Sequence, residues 1–275
     1  MVKNILFAGI TLFVLAFTAC DTIEGPYKET PVVEPAGDTI PAVVLFEFTG
    51  WNCPFCYLGH EAVQQLEEAY SERVQAIAIH AGSFAEPGNE GPDFRCMESD
   101  QLLEKFNSPS EFPTGAINSV NEDDLTGPTE WGTVVAEQIA LSSQSPEVFI
   151  TMDSSHTSDE LTVSFKVKFA DDLSGTYNFC AYVVENGIIA PQNKAGEGII
   201  EEYEHQHVLR ASMKNGIMGE TLATNPTSGT VFEKSYTLLV DITAWNIDSL
   251  KVIPFVYNTE TYELLRMNFI NPKTE

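Results

Sequence analysis

Two cysteines separated by two residues are the part of this sequence best suited to covalent chemistry. They form Cys53-Pro54-Phe55-Cys56, after an apolar segment and before a segment with helical spacing. Sulfur at the start of a helix lies near unpaired N–H groups, which favour the thiolate over the thiol. The spacing therefore predicts thiol–disulfide exchange, in which Cys53 attacks and Cys56 resolves the mixed disulfide.

Structural zinc is the alternative that the same spacing leaves open, because Cys-x-x-Cys forms half of many zinc sites. No second Cys-x-x-Cys or Cys-x-x-His follows at ligand spacing. His205 and His207 lie two residues apart and on a strand would share one face, but no third ligand accompanies them. The sequence thus favours redox chemistry and predicts neither a metal nor a cofactor.

The elements around the cysteines fit an α/β domain. Residues 42–48 are β-branched and aromatic, as in a buried strand, and residues 53–70 have helical spacing. Residues 74–79 form a second apolar strand, which predicts a right-handed βαβ unit. A surface excursion is predicted over 81–98. Further elements are a helix at 99–106, a strand at 115–120 and a closing helix at 130–142.

Beyond residue 145 the pattern changes from helical spacing to alternation of apolar and polar side chains. Short alternating segments separated by turn residues predict an antiparallel β-sandwich, Ig-like or jelly-roll, over residues 145–275. The clearest of these segments are 147–152, 161–169, 177–184, 231–240 and 250–257.

The segment from Leu45 to Cys56 resembles the active-site region of thioredoxins and protein disulfide isomerases. It contains Glu47 six residues before the first cysteine and Trp51 close to it, although two residues away rather than adjacent. Phe112-Pro113-Thr114 matches the loop in which that superfamily places a cis-proline beside the cysteines.

The resemblance implies a thioredoxin-like domain at residues 41–143, with catalytic roles for Cys53, Cys56, Glu47 and Pro113. Glu47 would be a buried acid with a raised pKa, able to accept the proton of Cys56. An acid at a strand edge with its carboxylate in water is the other interpretation. The superfamily spans potentials from about −270 to −120 mV, so the resemblance does not fix the potential.

The first twenty residues have the pattern of a lipoprotein signal peptide. Lys3 precedes about 13 nearly all apolar residues, which are too few to span a bilayer but enough for a signal core. Thr18 and Ala19 then lead directly to Cys20, which resembles the lipobox cysteine that receives diacylglycerol. Residues 21–40 are rich in proline, glycine and acids, which predicts a flexible tether.

The charge of the chain excludes several partners. Fourteen basic residues face forty acidic ones, giving a formal charge of −26. Such a chain repels nucleic acid and anionic lipid head groups. The predicted partners are therefore a membrane, contacted through lipid at Cys20, and a client or surface protein.

The lipobox and the late segment 203–212 together resemble a second family. These are lipoproteins named after a founding outer-membrane protein of about twenty-eight kilodaltons. Other matching segments are Glu47-Phe-Thr-Gly, Ala78-Ile-His-Ala-Gly82 and Phe112-Pro-Thr-Gly. This resemblance implies an outer-membrane lipoprotein, facing the periplasm or the cell surface, often described as a surface protein or adhesin.

Single residues carry weaker expectations. His60 follows Cys56 by four residues and is predicted to be a solvated helix residue rather than a neighbour of the thiol. His80 ends a strand near the cysteines. Cys180 lies in an alternating strand and reads as a buried small hydrophobe, while a disulfide between Cys96 and Cys180 is the open alternative.

Three functions remain compatible with the sequence. The first is an extracytoplasmic thiol-disulfide oxidoreductase acting through Cys53 and Cys56. The second is a non-catalytic surface-binding or adhesin-type lipoprotein that keeps this pair as a structural or vestigial disulfide, since a fold alone does not establish catalysis. The third and weakest is metal or haem handling by the cysteines with a histidine.

Overall fold

The computed structural model describes residues 40–88, 91–142, 148–214, 216–265 and 267–270, all within one compact unit at 37–275. The predicted signal peptide, Cys20 and nearly all of the predicted tether lie outside these residues. Within the described ranges, no helix is long and apolar enough to cross a membrane.

Strands dominate the described part of the chain. The helices are α1 (Tyr57–Tyr70), α2 (Met97–Lys105) and α3 (Pro128–Ser142). The strands are β1 (Ile40–Thr49), β2 (Val74–His80), β3 (Thr114–Ile117), β4 (Val148–His156), β5 (Glu160–Phe169), β6 (Thr176–Glu185), β7 (Ile188–Lys194), β8 (Gly198–His205), β9 (Val208–Ser212), β10 (Glu220–Thr224), β11 (Val231–Leu239), β12 (Leu250–Asn258) and β13 (Met267–Ile270).

The strands form one mixed sheet and a separate hairpin. The sheet has the order β10-β6-β9-β2-β1-β13-β4-β5-β11, with β3 paired to β1 and β12 paired to β6. β1 and β2 are parallel and joined by α1, whereas β1 and β3 are antiparallel. Among the described strands, β7 and β8 pair only with each other. The fold is thus mostly β, with its α/β part around β1.

β1 divides the core because its side chains alternate between the two faces of the sheet. Val43 and Leu45 pack with residues of α1 and α3, including Trp131. Val44, Phe46 and Phe48 face the opposite way, against Phe106 and the aromatic side chains of β6 and β12. Glu47 alternates with the same residues as Val43 and Leu45, so its side chain lies on the face of the sheet that α1 covers.

Strand pairing joins the predicted halves of the chain. β2 is hydrogen-bonded in parallel to β9, and β1 pairs with β13. The boundary predicted near residue 143 falls at 143–147, outside the described residues. The division into a thioredoxin-like domain at 41–143 and a β-sandwich at 145–275 therefore stays a prediction.

Candidate active site

The cysteine pair is a disulfide that lies immediately before α1. Cys53 and Cys56 are bonded, with their Cα atoms 5.4 Å apart. The chain turns tightly here, because Cys53 N–H donates to Gly50 O at 3.1 Å and Gly59 N–H donates to Cys56 O at 3.0 Å. Cys53 is 1% exposed and Cys56 is 0% exposed, while Phe55 between them is 54% exposed. The turn thus presents an aromatic side chain and hides both sulfurs.

The loop before β3 lies beside the first sulfur. Cys53 Sγ is 3.8 Å from the carbonyl oxygen of Phe112, and the bond from Phe112 to Pro113 is cis. Thr114 then pairs with Phe48 and Gly115 with Glu47. The register of β3 on β1 therefore brings Pro113 to the end of the strand that carries the acid.

Glu47 is buried against the first turn of α1. It is 2% exposed, and its Oε1 has no hydrogen-bond partner among the described residues. A methyl group built on Gly59 would collide with this oxygen and lie 2.9 Å from Pro113 Cβ, so the carboxyl occupies the space beside both residues. Burial raises the pKa of Glu47 to about 8.

His60 is an integral part of this site, and the prediction that it is a solvated helix residue is wrong. Its Nε2 lies 2.9 Å from Thr49 Oγ1 and 3.8 Å from Glu47 Oε1, and its Nδ1 lies 2.9 Å from the hydroxyl of Tyr203. Burial, with further contributions from His205 and His207, lowers the pKa of His60 to about 3. The ring is therefore neutral at pH 7 and links β1, α1 and β8.

A cluster of aromatic rings continues inward from His60. The ring of His205 is 5.0 Å from that of Tyr203, 5.6 Å from that of His80 and 4.9 Å from that of Phe94. Burial lowers the pKa of His205 to about 4 and that of His80 well below its ordinary value. These histidines act as neutral packing groups.

His205 and His207 do not share a strand face, because β8 ends at His205 and His207 has a φ of 57°. His205 Nε2 donates to Pro191 O at 3.2 Å, whereas His207 Nε2 lies 3.1 Å from Glu67 Oε1. No group of three metal-ligating side chains occurs among the described residues. The two histidines serve separate contacts.

A cavity of about 440 Å³ opens beside this cluster. It lies between α1 and the region around β8, and Glu47, His60, Glu67, Tyr203 and His207 contribute to its wall. Burial together with nearby Glu47 and Glu61 raises the pKa of Tyr203 to about 12, so its hydroxyl stays protonated at neutral pH.

The predicted surface excursion packs partly against the site. Trp51 Nε1 donates to Glu86 O at 2.9 Å, and Gly91 lies against the Trp51 ring. Cys96 precedes α2 and Cys180 is buried in the core, and both are free thiols. The alternative of a Cys96–Cys180 disulfide is therefore wrong, and the interpretation of Cys180 as a small hydrophobe is confirmed.

The sequence did not reveal the residues that β7 contributes. Gln192 is completely buried, and its Nε2 donates to Cys53 O at 3.1 Å. A glutamine in a segment without apolar alternation gives no local signal of burial, because its partners lie about 140 residues earlier. Tyr203 escaped notice for the same reason, although it falls inside the 203–212 segment.

Comparison with known proteins identifies relatives of this chain. A family model described as "Outer membrane protein Omp28" matches residues 99–271, which is more than half of the chain and begins after the cysteine pair. No curated protein matches the sequence significantly.

Solved structures resemble the chain at low sequence identity. HBP35 of Porphyromonas gingivalis aligns with a TM-score of 0.64 and 23% identity, covering 84% of this chain and 74% of that one. A protein from Agrobacterium tumefaciens aligns at 0.49 and 12% identity over 85% and 96% of the two chains. A domain of the outer membrane lipoprotein Omp28 from Porphyromonas gingivalis aligns at 0.31 and 19% over 46% and 92%. The first of these similarities extends to the overall fold.

Proposed function

The chain belongs to the Omp28 family of outer membrane proteins, a family of the cell envelope, and we propose that it is a lipid-anchored thiol-disulfide oxidoreductase. The anchor in this proposal is Cys20, whose position after Thr18 and Ala19 fits a lipobox. The net charge of −26 disfavours electrostatic attachment to anionic lipid, so attachment through a lipid at Cys20 fits the chain better.

The observation that carries the redox proposal is the grouping of three features around one disulfide. The disulfide precedes α1, and the Phe112 carbonyl lies 3.8 Å from Cys53 Sγ. The buried Glu47 carboxyl, whose Oε1 has no hydrogen-bond partner among the described residues, adjoins the first turn of α1. A buried acid with a pKa of about 8 can exchange a proton near neutral pH. This grouping supports the thioredoxin-like interpretation of residues 41–143.

The bonded state of the pair is suited to oxidising a client dithiol. A client thiolate attacks Cys53 Sγ, the bond to Cys56 breaks, and Cys56 leaves as a thiolate that receives the proton of Glu47. A second client thiolate then attacks the client sulfur bonded to Cys53, which forms the client disulfide and releases Cys53 as a thiolate. Two electrons pass from the client to the pair. In the reverse direction Glu47 accepts the proton of Cys56.

The test is the equilibrium reduction potential of the pair in glutathione buffers, together with the pKa of the Cys53 thiol. A potential between about −270 and −120 mV and a thiol pKa below about 7.5 are expected of a working pair. Cys53→Ser is the control, because Cys96 and Cys180 remain in it. A potential below about −300 mV with an unreactive thiol would instead indicate a structural disulfide.

A surface-binding role is the second candidate, and the burial of both sulfurs favours it. Cys53 and Cys56 are out of contact with solvent in the described conformation. In this function the disulfide only stabilises the turn before α1, and the β-rich second half contacts the partner. The same potential measurement separates the two candidates.

A further inference from the structure

The β7–β8 hairpin covers the disulfide turn. Asn193 N–H donates to Trp51 O at 2.7 Å, and Ala195 N–H donates to Pro54 O at 2.8 Å. These donors are alternate residues, as on one edge of an extended strand. The turn around Cys53 is thus paired to the hairpin through its main chain.

Side chains of β7 strengthen this cover. The Nε2 of Gln192 lies 3.4 Å from Gly50 O and 3.1 Å from Cys53 O. Asn193 Nδ2 lies 3.3 Å from Asn52 O. The carbonyl groups of residues 50–54 therefore each accept a hydrogen bond from the hairpin, and the side chains of Cys53 and Cys56 are buried at this turn.

Thiol–disulfide exchange requires a thiolate to reach one of the two sulfurs. Cys53 is 1% exposed, so the described conformation admits no protein client. We propose that the β7–β8 hairpin is a lid over Cys53–Cys56, a proposal that rests on the proposed redox function. The client is an extended polypeptide segment whose amides replace those of Asn193 and Ala195 on the Trp51 and Pro54 carbonyls.

The hairpin is built to move as a unit. It is outside the main sheet, and its ends carry residues with positive φ, namely Gly187 at 71° and His207 at 57°. Its own strands pair with each other, so opening leaves those bonds intact. Its large aliphatic side chains Ile189 and Ile199 are exposed, so hydrogen bonds and the buried ring of His205, which packs on Phe94, hold it in place. Elements with few buried apolar contacts open more readily than the core.

The hydroxyl of Tyr203 is the latch on the β8 side. Its hydrogen bond to His60 Nδ1 at 2.9 Å joins the hairpin to α1. Replacing this hydroxyl with hydrogen removes the bond and keeps the ring, so Tyr203→Phe loosens the lid with little change in packing. Gln192→Ala loosens it on the β7 side, and Ile189→Ala is the matched control on the exposed face.

The experiment measures how fast excess dithiothreitol reduces Cys53–Cys56 in the full chain held in detergent. Alkylation and mass spectrometry report the reduced pair. Tyr203→Phe should accelerate reduction about fivefold, the effect of losing one net hydrogen bond. Gln192→Ala should act in the same direction, and Ile189→Ala should match the wild type. Hydrogen exchange at Asn193 and Ala195 should rise in parallel. Wild-type rates in both latch variants would overturn the lid.

The client class has its own readout in the Cys56→Ser variant. An activated cysteine peptide should form a mixed disulfide with Cys53 about tenfold faster than the same peptide with its flanking amides methylated, because methylation removes the donors. Equal rates would overturn the extended-client proposal. The reduction potential is measured separately, so a potential below about −300 mV rejects the redox function without deciding whether the lid opens.

Discussion

His60 Nδ1 lies 2.9 Å from the hydroxyl of Tyr203, across a sequence separation of 143 residues. The second ring nitrogen of His60 is occupied by Thr49, so one neutral imidazole connects β1, α1 and β8. The bond fixes the position of the hairpin relative to the helix that begins at the disulfide. It is a side-chain link between the cysteine-bearing half and the β-rich half at the candidate site, beside the main-chain bonds from Asn193 and Ala195 to the disulfide turn.

This link should be measurable as a coupling free energy. In a double-mutant cycle, Tyr203→Phe and His60→Phe should be non-additive by about 0.5–1.5 kcal/mol, the net contribution of one hydrogen bond. Urea unfolding of the four proteins gives the value. The control cycle pairs Tyr203→Phe with His156→Gln, because His156 is exposed on β4, and should be additive. Additivity in both cycles would contradict the bond.

Two glycines test the packing around Glu47. A Cβ at Gly59 would collide with Glu47 Oε1 and approach Pro113 Cβ to 2.9 Å, whereas a Cβ at Gly132 in α3 would meet nothing within 4 Å. Gly59→Ala should lower the free energy of unfolding by about 1–3 kcal/mol through overpacking. Gly132→Ala should raise it by about 0.5–1 kcal/mol, because alanine favours helix. Urea unfolding checks both, and equal effects would show that Glu47 is not held there.

The sequence sufficed for the elements that are locally periodic. The continuous β-branched and aromatic run at residues 42–48 placed Glu47 within an apolar strand. The helical spacing over residues 53–70 predicted α1, although the helix begins at Tyr57 rather than at Cys53. The segments predicted as strands near 147, 161, 177, 231 and 250 correspond to β4, β5, β6, β11 and β12. β4, β5, β6 and β12 each have buried positions and β11 has a half-buried face, and these inward faces fix the apolar pattern.

What escaped prediction depends on contacts between distant residues. β8 has no regular apolar face, since Gly198, Ile199, Glu201 and Glu202 are all exposed, so its sequence does not show that it covers α1. His60 looked solvated for a related reason. Its position in α1 gives no sign of the groups that surround it, because Glu47 and Thr49 come from β1 and Tyr203 comes from β8.

Glu47 should make stability fall as pH rises. Burial raises its pKa from 4.5 to about 8, so between these values the folded chain holds a proton that the unfolded chain releases. The contribution of Glu47 to the free energy of unfolding is therefore complete below pH 4.5. It falls by roughly 1.4 kcal/mol per pH unit above that value and is lost by about pH 8. Glu47→Gln removes this dependence. Between pH 6 and pH 8 the variant should therefore gain about 2–3 kcal/mol relative to wild type.

Urea unfolding of the oxidised proteins at pH 6, 7 and 8 measures that gain. Glu61→Gln is the matched control, because Glu61 lies on α1 at an exposed position. It should follow the wild type at every pH. If Glu47→Gln also follows the wild type, the carboxyl is ionised in the folded state and cannot donate the proton that Cys56 needs.

The buried histidines should make stability fall as pH drops below 6.5. Burial lowers the pKa of His60 to about 3, that of His205 to about 4 and that of His80 well below 6.5. Below pH 6.5 the unfolded chain therefore binds protons that the folded chain does not bind. Each ring lowers the free energy of unfolding by roughly 1.4 kcal/mol per pH unit in this window. Glu47 has the opposite sign between pH 4.5 and 6.5 and offsets about one ring.

Lowering the pH from 6 to 5 should thus reduce the free energy of unfolding by about 2–3 kcal/mol, measured by urea unfolding at half-unit steps. His205→Phe keeps an aromatic ring among Tyr203, His80 and Phe94 but cannot bind a proton. The slope of its free energy of unfolding against pH should correspond to about one proton fewer bound on unfolding. His156→Gln should leave that slope unchanged. A wild-type slope in His205→Phe would mean that His205 is protonated in the folded chain, and the contact between β8 and the rest of the site would then open to water at acidic pH.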